Sequence, residues 1–235
     1  AYNQVDKAEE DGDSCDKINH QSIAIIASYC KIKEIRFIHY STNYIFDGAG
    51  RTPYQEDNIK NLNPLGVYGK SKLDGERGII ASGCKYLIFR VASVFSESNN
   101  NFVGKIIKLA KEKEELSIID DQISSFTSSH DIAFYTIKII ETISDDENFK
   151  SDIYNLTNEG FASYFAFAQE IIKTLHKNNI QIALKNLKPI TSDEYKAKAK
   201  RPLNGALDIT KIKKEFSFEI PNWRQAMEII ITKTK

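Results

Sequence analysis

The hydrophobic and polar positions of this chain change their period several times along its 235 residues. Apolar side chains such as Ile18, Ile25 and Tyr29 recur at helical spacing, which predicts an amphipathic helix over residues 15–31. A short β-rich run over 35–40 ends in polar residues, which predicts a strand that leads into a loop. The same criteria predict a loop over 47–66, helices over 68–82, 103–115 and 131–143, and strands over 86–91, 116–119 and 153–156. Such alternation favours a parallel sheet flanked by helices.

The pattern changes beyond about residue 157. Phe165, Ala168 and Ile172 lie on one face of a predicted helix, and a short strand is predicted over 180–184. Residues 185–214 then look irregular and contain nine Lys or Arg against three Asp or Glu. Two interpretations of this basic stretch remain open: a solvated surface, or a patch that binds an anionic, diphosphate-bearing ligand.

Composition and charge exclude several classes of protein. The chain is 41% hydrophobic and 27% charged, as in globular proteins, and 32 Lys plus Arg balance 32 Asp plus Glu. We therefore expect neither nucleic acid nor a membrane surface as a partner. The longest apolar run is interrupted by Tyr135, Lys138 and Glu141, so no membrane span is predicted. The first residues lack a signal-peptide pattern, and we expect a cytoplasmic protein.

The three cysteines and four histidines suggest no metal site. Cys15, Cys30 and Cys84 are too widely spaced for a zinc site, and their odd number does not fit a disulfide framework, so they are predicted to be reduced. No histidine pair has the spacing of metal ligands. His39 falls inside a predicted strand and is given no role.

Candidate chemistry is found at Thr42, Tyr68 and Lys72. Thr42 follows a predicted strand, whereas Tyr68 and Lys72 are four residues apart at the start of a predicted helix and so share one helical face. An ammonium group beside a phenol favours the tyrosinate and makes the phenol a usable proton donor or acceptor. Tyr29 and Lys33 have the same spacing by chance, so this motif depends on its context.

That context consists of three neighbouring segments. Residues 41–48 read Ser-Thr-Asn-Tyr-Ile-Phe-Asp-Gly, residues 53–56 read Pro-Tyr-Gln-Glu, and residues 68–76 read Tyr-Gly-Lys-Ser-Lys-Leu-Asp-Gly-Glu. With these segments the chain resembles the extended short-chain dehydrogenase/reductases, most closely the dTDP-4-dehydrorhamnose reductase family. Arg201-Pro202 resembles a later landmark of that family, so the resemblance covers nearly the whole chain.

The resemblance implies an α/β fold with two domains. A Rossmann-like, doubly wound parallel sheet is expected over residues 1–156, with 97–130 also contributing to the substrate site. A smaller α/β substrate domain is expected over 157–235. No Gly-rich phosphate-binding turn occurs in the sequence, so the N-terminal strands look missing, and roughly 60 residues are expected to precede Ala1 in a typical member.

The same resemblance implies a reductase that uses NADPH or NADH to reduce the C4 keto group of a nucleotide-linked deoxysugar for surface-polysaccharide synthesis. Tyr68 is expected to protonate the C4 oxygen, and Thr42 to hydrogen-bond it. Lys72 is expected to bind the nicotinamide ribose and to lower the pKa of Tyr68. Further implied contacts are Ser41 and Ala1 with the cofactor, and Tyr44, Val5, Ser93 and Arg201 with the substrate. The resemblance leaves a homodimer open.

Departures from the family pattern keep an alternative open. Asn43 stands where the family has aspartate, and Ser93 stands where it commonly has a tryptophan that is expected to pack on the sugar. A non-catalytic cofactor-binding subunit of the same fold, like the β subunit of methionine adenosyltransferase, is the rival interpretation. An epimerase or dehydratase of the same superfamily fits less well, because residues 41–48 resemble the reductase signature more closely.

Overall fold

Helices and strands alternate along the chain in the computed structural model, which describes residues 1–98, 100–144 and 149–233. The helices are α1 (Val5–Ala8), α2 (Gly12–Asp16), α3 (Ser22–Ile32), α4 (Val67–Ser82), α5 (Phe102–Glu112), α6 (Ser129–Ile143), α7 (Tyr164–Lys177), α8 (Ser192–Tyr195), α9 (Thr210–Phe216) and α10 (Trp223–Lys233). The strands are β1 (Phe37–Thr42), β2 (Tyr86–Val91), β3 (Val94–Phe95), β4 (Glu115–Ile119), β5 (Ile123–Ser124), β6 (Thr127–Ser128), β7 (Asp152–Asn155), β8 (Ala162–Ser163), β9 (Asn186–Ile190) and β10 (Asn204–Gly205). A π-helical turn joins α2 to α3, so the predicted first helix is one continuous helical segment.

A parallel sheet in the order β1-β2-β7 forms the centre of one layered unit. Successive side chains of a strand point to opposite faces of the sheet. On one face, Ile88 packs against Ile79 of α4 and residues of α3. On the other face, Phe89 packs against Ile139 of α6 and Ile212 of α9. Helices therefore cover both faces, which is the doubly wound α/β arrangement that the sequence predicts.

A second core lies between α5, α7 and α10. Its centre is aromatic: the rings of Phe126 and Phe167 stack at 3.8 Å between centroids, and Trp223 packs edge-on to Phe167 at 5.1 Å. β4 and β9 form a separate parallel pair beside this core. The strand predicted over 116–119 thus exists, but it does not join the three-stranded sheet.

The strand predicted over 180–184 is wrong, since its residues form an extended segment without a strand partner. The backbone N–H groups of Ala183 and Leu184 donate to the carbonyl of Ala110 at 2.9 and 3.0 Å, near the end of α5. The last carbonyl groups of a helix have no N–H partner within the helix. Here the segment 180–184 supplies such N–H partners. The strand begins later, at Asn186, within the stretch that the sequence left irregular.

The two cores draw residues from both sides of residue 156. Phe126 and Val103 pack with Phe167, whereas Ile209 and Ile212 pack with strands of the first sheet. The division of the chain into domains at residue 156 stays a prediction, and each of its parts contributes side chains to the interior of the other. None of the helices in the described ranges is both long and apolar enough to span a bilayer.

Candidate active site

The candidate site lies at the carboxyl end of β1. Thr42 is the last residue of that strand, and its hydroxyl accepts a hydrogen bond from the N–H of Tyr44 at 3.2 Å, which starts a 3-10 turn. α4 passes very close to this turn, because a Cβ on Gly69 would stand 2.2 Å from the carbonyl oxygen of Tyr44. The absence of a side chain at Gly69 lets Tyr68 approach, and its ring meets that of Tyr44 edge-on at 5.6 Å.

Thr42 and Tyr68 form a hydroxyl pair. The side chains hydrogen-bond each other, although the two residues come from different elements. Burial raises the pKa of the Tyr68 phenol, and the hydrogen bond from Thr42 offsets part of that rise. The expectation that Lys72 lowers the pKa of Tyr68 is therefore wrong for this arrangement, because burial dominates and the Lys72 ammonium contacts other groups. A raised pKa keeps the phenol protonated at neutral pH.

Lys72 is buried, and no carboxylate among the described residues pairs with it. Its side chain is 2% exposed, and its Nζ donates to the carbonyl oxygen of Tyr40 at 2.6 Å and lies 3.0 Å from Nε2 of His39. Burial lowers the pKa of Lys72 to about 8, and the more distant Glu76 partly opposes this shift. The ammonium is thus close to its titration point near neutral pH.

His39 is the site residue that the sequence interpretation missed. Burial, together with the Lys72 charge, lowers the pKa of this imidazole to about 3, so it is neutral and can accept from Lys72. One signal was available in the sequence. His39 precedes Ser41 by two residues on a strand, and residues at this spacing share a face of the sheet. The side chains of His39 and Ser41 therefore lie on the face of the sheet that α4 covers, and Lys72 of α4 meets His39 there.

Ser41 and Ala1, the residues expected to contact the cofactor, lie on this same side of the site. Ser41 is 3% exposed, and its Oγ has no hydrogen-bond partner in the part of the chain that the structure describes. The backbone nitrogen of Ala1 is near enough to His39 to interact with it. A buried hydroxyl without a partner is rare in folded proteins and is typical of a position that a ligand satisfies.

Arg201 is held by a carboxylate and a phenol. Its guanidinium donates to Asp6 at 2.7 Å and hydrogen-bonds the hydroxyl of Tyr44. Arg201 lowers the pKa of Asp6, which lies next to Val5 in the first turn of α1. The predicted substrate contacts Val5, Tyr44 and Arg201 are thus neighbours in space, although the chain separates them by up to two hundred residues.

Residues of the segments 41–48 and 53–56 hold the loop around the site in place. Tyr54 stacks on Phe46 at 4.3 Å between ring centroids and donates to Asp47 at 2.8 Å. Gly48 has a φ of +73°, and a Cβ there would stand 2.5 Å from the Cα of Pro202. Only glycine permits this contact, which holds the Arg201 segment against the loop.

Ser93 lies just beyond the carboxyl end of β2. Its hydroxyl contacts the hydroxyls of Ser124 at 2.9 Å and Tyr164 at 2.7 Å. Ser124 in turn lies 3.5 Å from the side-chain amide of Asn43, the residue that follows Thr42. The predicted substrate contact Ser93 is therefore close to the Thr42–Tyr68 pair, as part of a polar cluster.

A cavity of about 340 Å³ lies between α5 and β4 and has Arg201 in its lining. Apolar residues such as Phe102, Ile106 and Leu116 line most of it, and Tyr164 and Arg201 stand at one end. Tyr164 and Arg201 also border a small cavity beside Asn43 and Tyr44. The two cavities thus share Tyr164 and Arg201 as lining residues.

Most of the positive charge in the basic stretch over 185–214 is paired with carboxylates. Six of its nine cations form ion pairs, and they include Lys188 with Glu115, Lys198 with Glu10 and Lys211 with Asp152. The interpretation as a solvated, paired surface fits better than an extended anion-binding patch, and Arg201 is the member that reaches the site. Within the described residues, no group of three His, Cys, Asp or Glu could hold a metal ion.

Comparisons with known proteins agree with this geometry. The family model described as the RmlD substrate binding domain matches residues 1–235. The dTDP-4-dehydrorhamnose reductase of Aggregatibacter actinomycetemcomitans is 36% identical over 230 residues, which cover 98% of this chain and 78% of that protein. The crystal structure of a dTDP-4-dehydrorhamnose reductase ortholog from Clostridium acetobutylicum has a TM-score of 0.89 at 30% identity, covering 99% of this chain and 78% of that one. The Bacillus anthracis dTDP-4-dehydrorhamnose reductase in complex with NADP has a TM-score of 0.88 at 29% identity, with coverages of 99% and 78%.

The chain belongs to the RmlD substrate-binding domain family. This confirms the resemblance drawn from residues 41–48, 53–56 and 68–76. It also confirms the predicted α/β fold with parallel strands, which the superimposed structures share.

Proposed function

We propose that this chain reduces the C4 keto group of a nucleotide-linked deoxysugar with NADPH or NADH, as a dTDP-4-dehydrorhamnose reductase does. The observation that carries the proposal is the meeting of Thr42, Tyr68 and Lys72 at the carboxyl end of β1, where ligands bind in open α/β sheets. The names of the relatives support the same activity.

The residues present fit the nicotinamide end of a dinucleotide. Ser41 offers a buried hydroxyl without a partner, and the Lys72 ammonium has three N–H groups but only two acceptors in the described chain. A ribose, which carries hydroxyls, can satisfy both. When bound, the reduced nicotinamide supplies a hydride to the carbonyl carbon.

The side chains of this site then have distinct roles. Tyr68, which is protonated at neutral pH, donates its proton to the oxygen of the reacting carbonyl. Thr42 hydrogen-bonds both the phenol and that oxygen, which fixes their relative position. Lys72, with a pKa near 8, donates a hydrogen bond to the cofactor ribose and so holds the nicotinamide beside Tyr68.

The nucleotide part of the substrate fits the cavity between α5 and β4. Its lining is mostly apolar, which suits a base, and Arg201 at its end presents a planar fork that suits a phosphate oxygen pair. The sugar ring would then reach Tyr44 and Tyr68. The assigned roles of Val5, Tyr44 and Arg201 in substrate binding belong to this proposal.

The test is NADPH or NADH oxidation by the full-length protein in the presence of a dTDP-linked 4-keto-6-deoxyhexose. We expect turnover in the wild type and a loss of about 10²–10⁴-fold in Tyr68→Phe, which removes only the general acid. Tyr29→Phe is the matched control, because Tyr29 has the same Tyr-x-x-x-Lys spacing on an exposed helix face. Turnover that is absent, or that Tyr68→Phe leaves unchanged, contradicts the proposal.

The rival interpretation, a non-catalytic cofactor-binding subunit, has less support. Such a module does not require a protonated phenol held by Thr42 next to a buried lysine, and all three residues are in place. Recovery of a stoichiometric protein partner together with no turnover would favour it. Cytoplasmic location and a homodimer stay predictions.

A further inference from the structure

Three hydroxyl groups from distant parts of the chain meet beside the candidate active site. Ser93 Oγ lies 2.9 Å from Ser124 Oγ and 2.7 Å from the hydroxyl of Tyr164. Ser93 follows β2, Ser124 ends β5, and Tyr164 begins α7. We refer to these three side chains as the hydroxyl cluster.

The hydroxyl cluster is held rigidly. Ser93 has a φ of +39°, in the left-handed region that residues other than glycine rarely adopt. Tyr164 packs edge-on against Phe126 at 5.4 Å and against Phe102 at 5.2 Å, so the aromatic core fixes its ring. Strained residues that the surrounding structure holds in place occur preferentially at functional sites.

Counting protons shows what the hydroxyl cluster can bind. Ser124 Oγ lies 3.0 Å from the carbonyl oxygen of Ser125, which can only accept, so Ser124 donates its single proton there. Ser93 is then the donor to Ser124, and Tyr164 is the donor to Ser93. All three protons are used inside the protein, whereas lone pairs on Ser93 and Tyr164 remain. With this set of donors, the hydroxyl cluster offers acceptor lone pairs to the hydroxyl of a ligand.

The position of the hydroxyl cluster relates this acceptor to the reacting carbonyl. Asn43 joins it to Thr42, because the Asn43 amide lies 3.5 Å from Ser124 Oγ and Asn43 directly follows Thr42. Tyr164 also borders the 340 Å³ cavity. Asn43 and Tyr44, which follow Thr42, line one small cavity together with Ser124 and Tyr164, so a sugar ring that enters it can face both groups.

We propose that Ser93, Ser124 and Tyr164 form a specificity subsite that accepts a hydrogen bond from the sugar hydroxyl next to the reacting carbonyl. In a 4-keto-6-deoxyhexose the only hydroxyl on a carbon adjacent to C4 is the one at C3, so the subsite selects substrates with a free C3 hydroxyl. This inference rests on the proposed keto-sugar reduction for the orientation of the sugar.

The test compares a dTDP-linked 4-keto-6-deoxyhexose with its 3-deoxy analogue, in the full-length protein with bound cofactor. Both Kd and kcat/KM are measured for the wild type, Ser93→Ala and Tyr164→Phe. For the hydroxylated sugar we expect each variant to lose about tenfold in Kd and kcat/KM, which corresponds to one hydrogen bond. For the 3-deoxy sugar we expect the variants and the wild type to be equal.

Ser93→Gly separates the hydroxyl from the backbone. Glycine adopts the positive φ without strain, so Ser93→Gly removes the hydroxyl and relieves the backbone at the same time. We expect the same selective loss as in Ser93→Ala. Ser28→Ala is the control, because this helix serine only donates to the carbonyl of Ala24.

Equal losses on the two sugars would overturn the subsite, because they would indicate a structural role for the hydroxyls. The same holds if Ser93→Gly binds the C3 hydroxyl as well as the wild type does. Selective binding without any turnover would instead support the subsite and contradict the proposed reaction. The Kd and kcat/KM measurements thus separate the two claims.

Discussion

Two buried cations lie close together in this fold and differ in their partners. Arg90, 2% exposed, donates to both carboxylate oxygens of Glu76 at 3.1 and 2.8 Å and to the carbonyl of Glu56 at 3.1 Å. Lys72 is equally buried, but in the described part of the chain its Nζ meets only neutral acceptors, His39 and the Tyr40 carbonyl. Both sets of contacts join α4 to the sheet that contains β1 and β2.

The difference separates a structural charge from a functional one. When a buried cation is fully paired, its ion pair and hydrogen bonds offset the free-energy cost of removing its charge from water. Removal of the partner then destabilises the fold. A buried cation with neutral acceptors keeps a perturbed pKa, which is common at functional sites. Arg90 thus fixes α4 against the sheet, whereas Lys72 on the same helix remains available for chemistry.

The largest effect is expected on breaking the structural pair. Glu76→Gln keeps the size of the side chain but leaves Arg90 buried without a carboxylate, which costs about 3–5 kcal/mol of unfolding free energy. Urea denaturation measures this loss. Glu141→Gln is the control, because Glu141 pairs with Lys138 on the surface. A loss under about 1 kcal/mol would show that Arg90 is not held as described.

Replacing Lys72 should raise the unfolding free energy at neutral pH, whereas Glu76→Gln lowers it. The pKa of Lys72 is lowered from 10.5 to about 8, so burial of its charge destabilises the fold fully below pH 8, and this penalty disappears as pH rises toward 10.5. Relative to Lys72→Met, the wild type should gain about 3 kcal/mol between pH 8 and 10.5. Urea denaturation of both proteins across this range measures the difference. A pH-independent difference would contradict the lowered pKa.

A smaller effect is expected at His39, which we infer to be a positioning residue for Lys72. A neutral acceptor favours the charged lysine, so in His39→Leu the pKa of Lys72 should fall further. The alkaline decline of kcat/KM should then begin at a pH lower by roughly half to one unit. His39→Asn keeps an acceptor and should restore the wild-type profile. Identical profiles for wild type and His39→Leu would exclude this role.

The smallest effect is expected at the surface. Lys185 and Glu114 are 72% and 66% exposed and pair at 2.7 Å. Lys185→Ala should therefore change the unfolding free energy by less than about 0.5 kcal/mol. A change as large as that of Glu76→Gln would mean that exposure does not distinguish the ion pairs of this protein.

The sequence predicted the elements that local pattern determines. The helix over 68–82 and the strand over 86–91 lie where period and propensity placed them, and Thr42, Tyr68 and Lys72 come together as their motif implied. The sequence could not predict partners that only tertiary packing creates. No role could be predicted for His39, because its contact with Lys72 joins residues 33 positions apart.

Other features that the sequence did not predict also depend on tertiary packing. Residues 180–184 alternate like a strand, but their N–H groups serve the end of α5 instead of a neighbouring strand. The Ser93, Ser124 and Tyr164 hydroxyls are separated by up to 71 residues, and no spacing rule relates them. The expected effect of Lys72 on Tyr68 failed because helical spacing indicates proximity but not where the ammonium finds its acceptors.

The most direct test of the central claim is the single-turnover rate of hydride transfer in Lys72→Met, with the folded fraction measured in the same sample. The wild type and Lys72→Met are mixed with reduced cofactor and a dTDP-linked 4-keto-6-deoxyhexose. We predict a rate at least about 100-fold lower per folded molecule, because the cation that holds the cofactor ribose beside Tyr68 is gone while the fold is kept. A rate per folded molecule equal to that of the wild type would contradict the account.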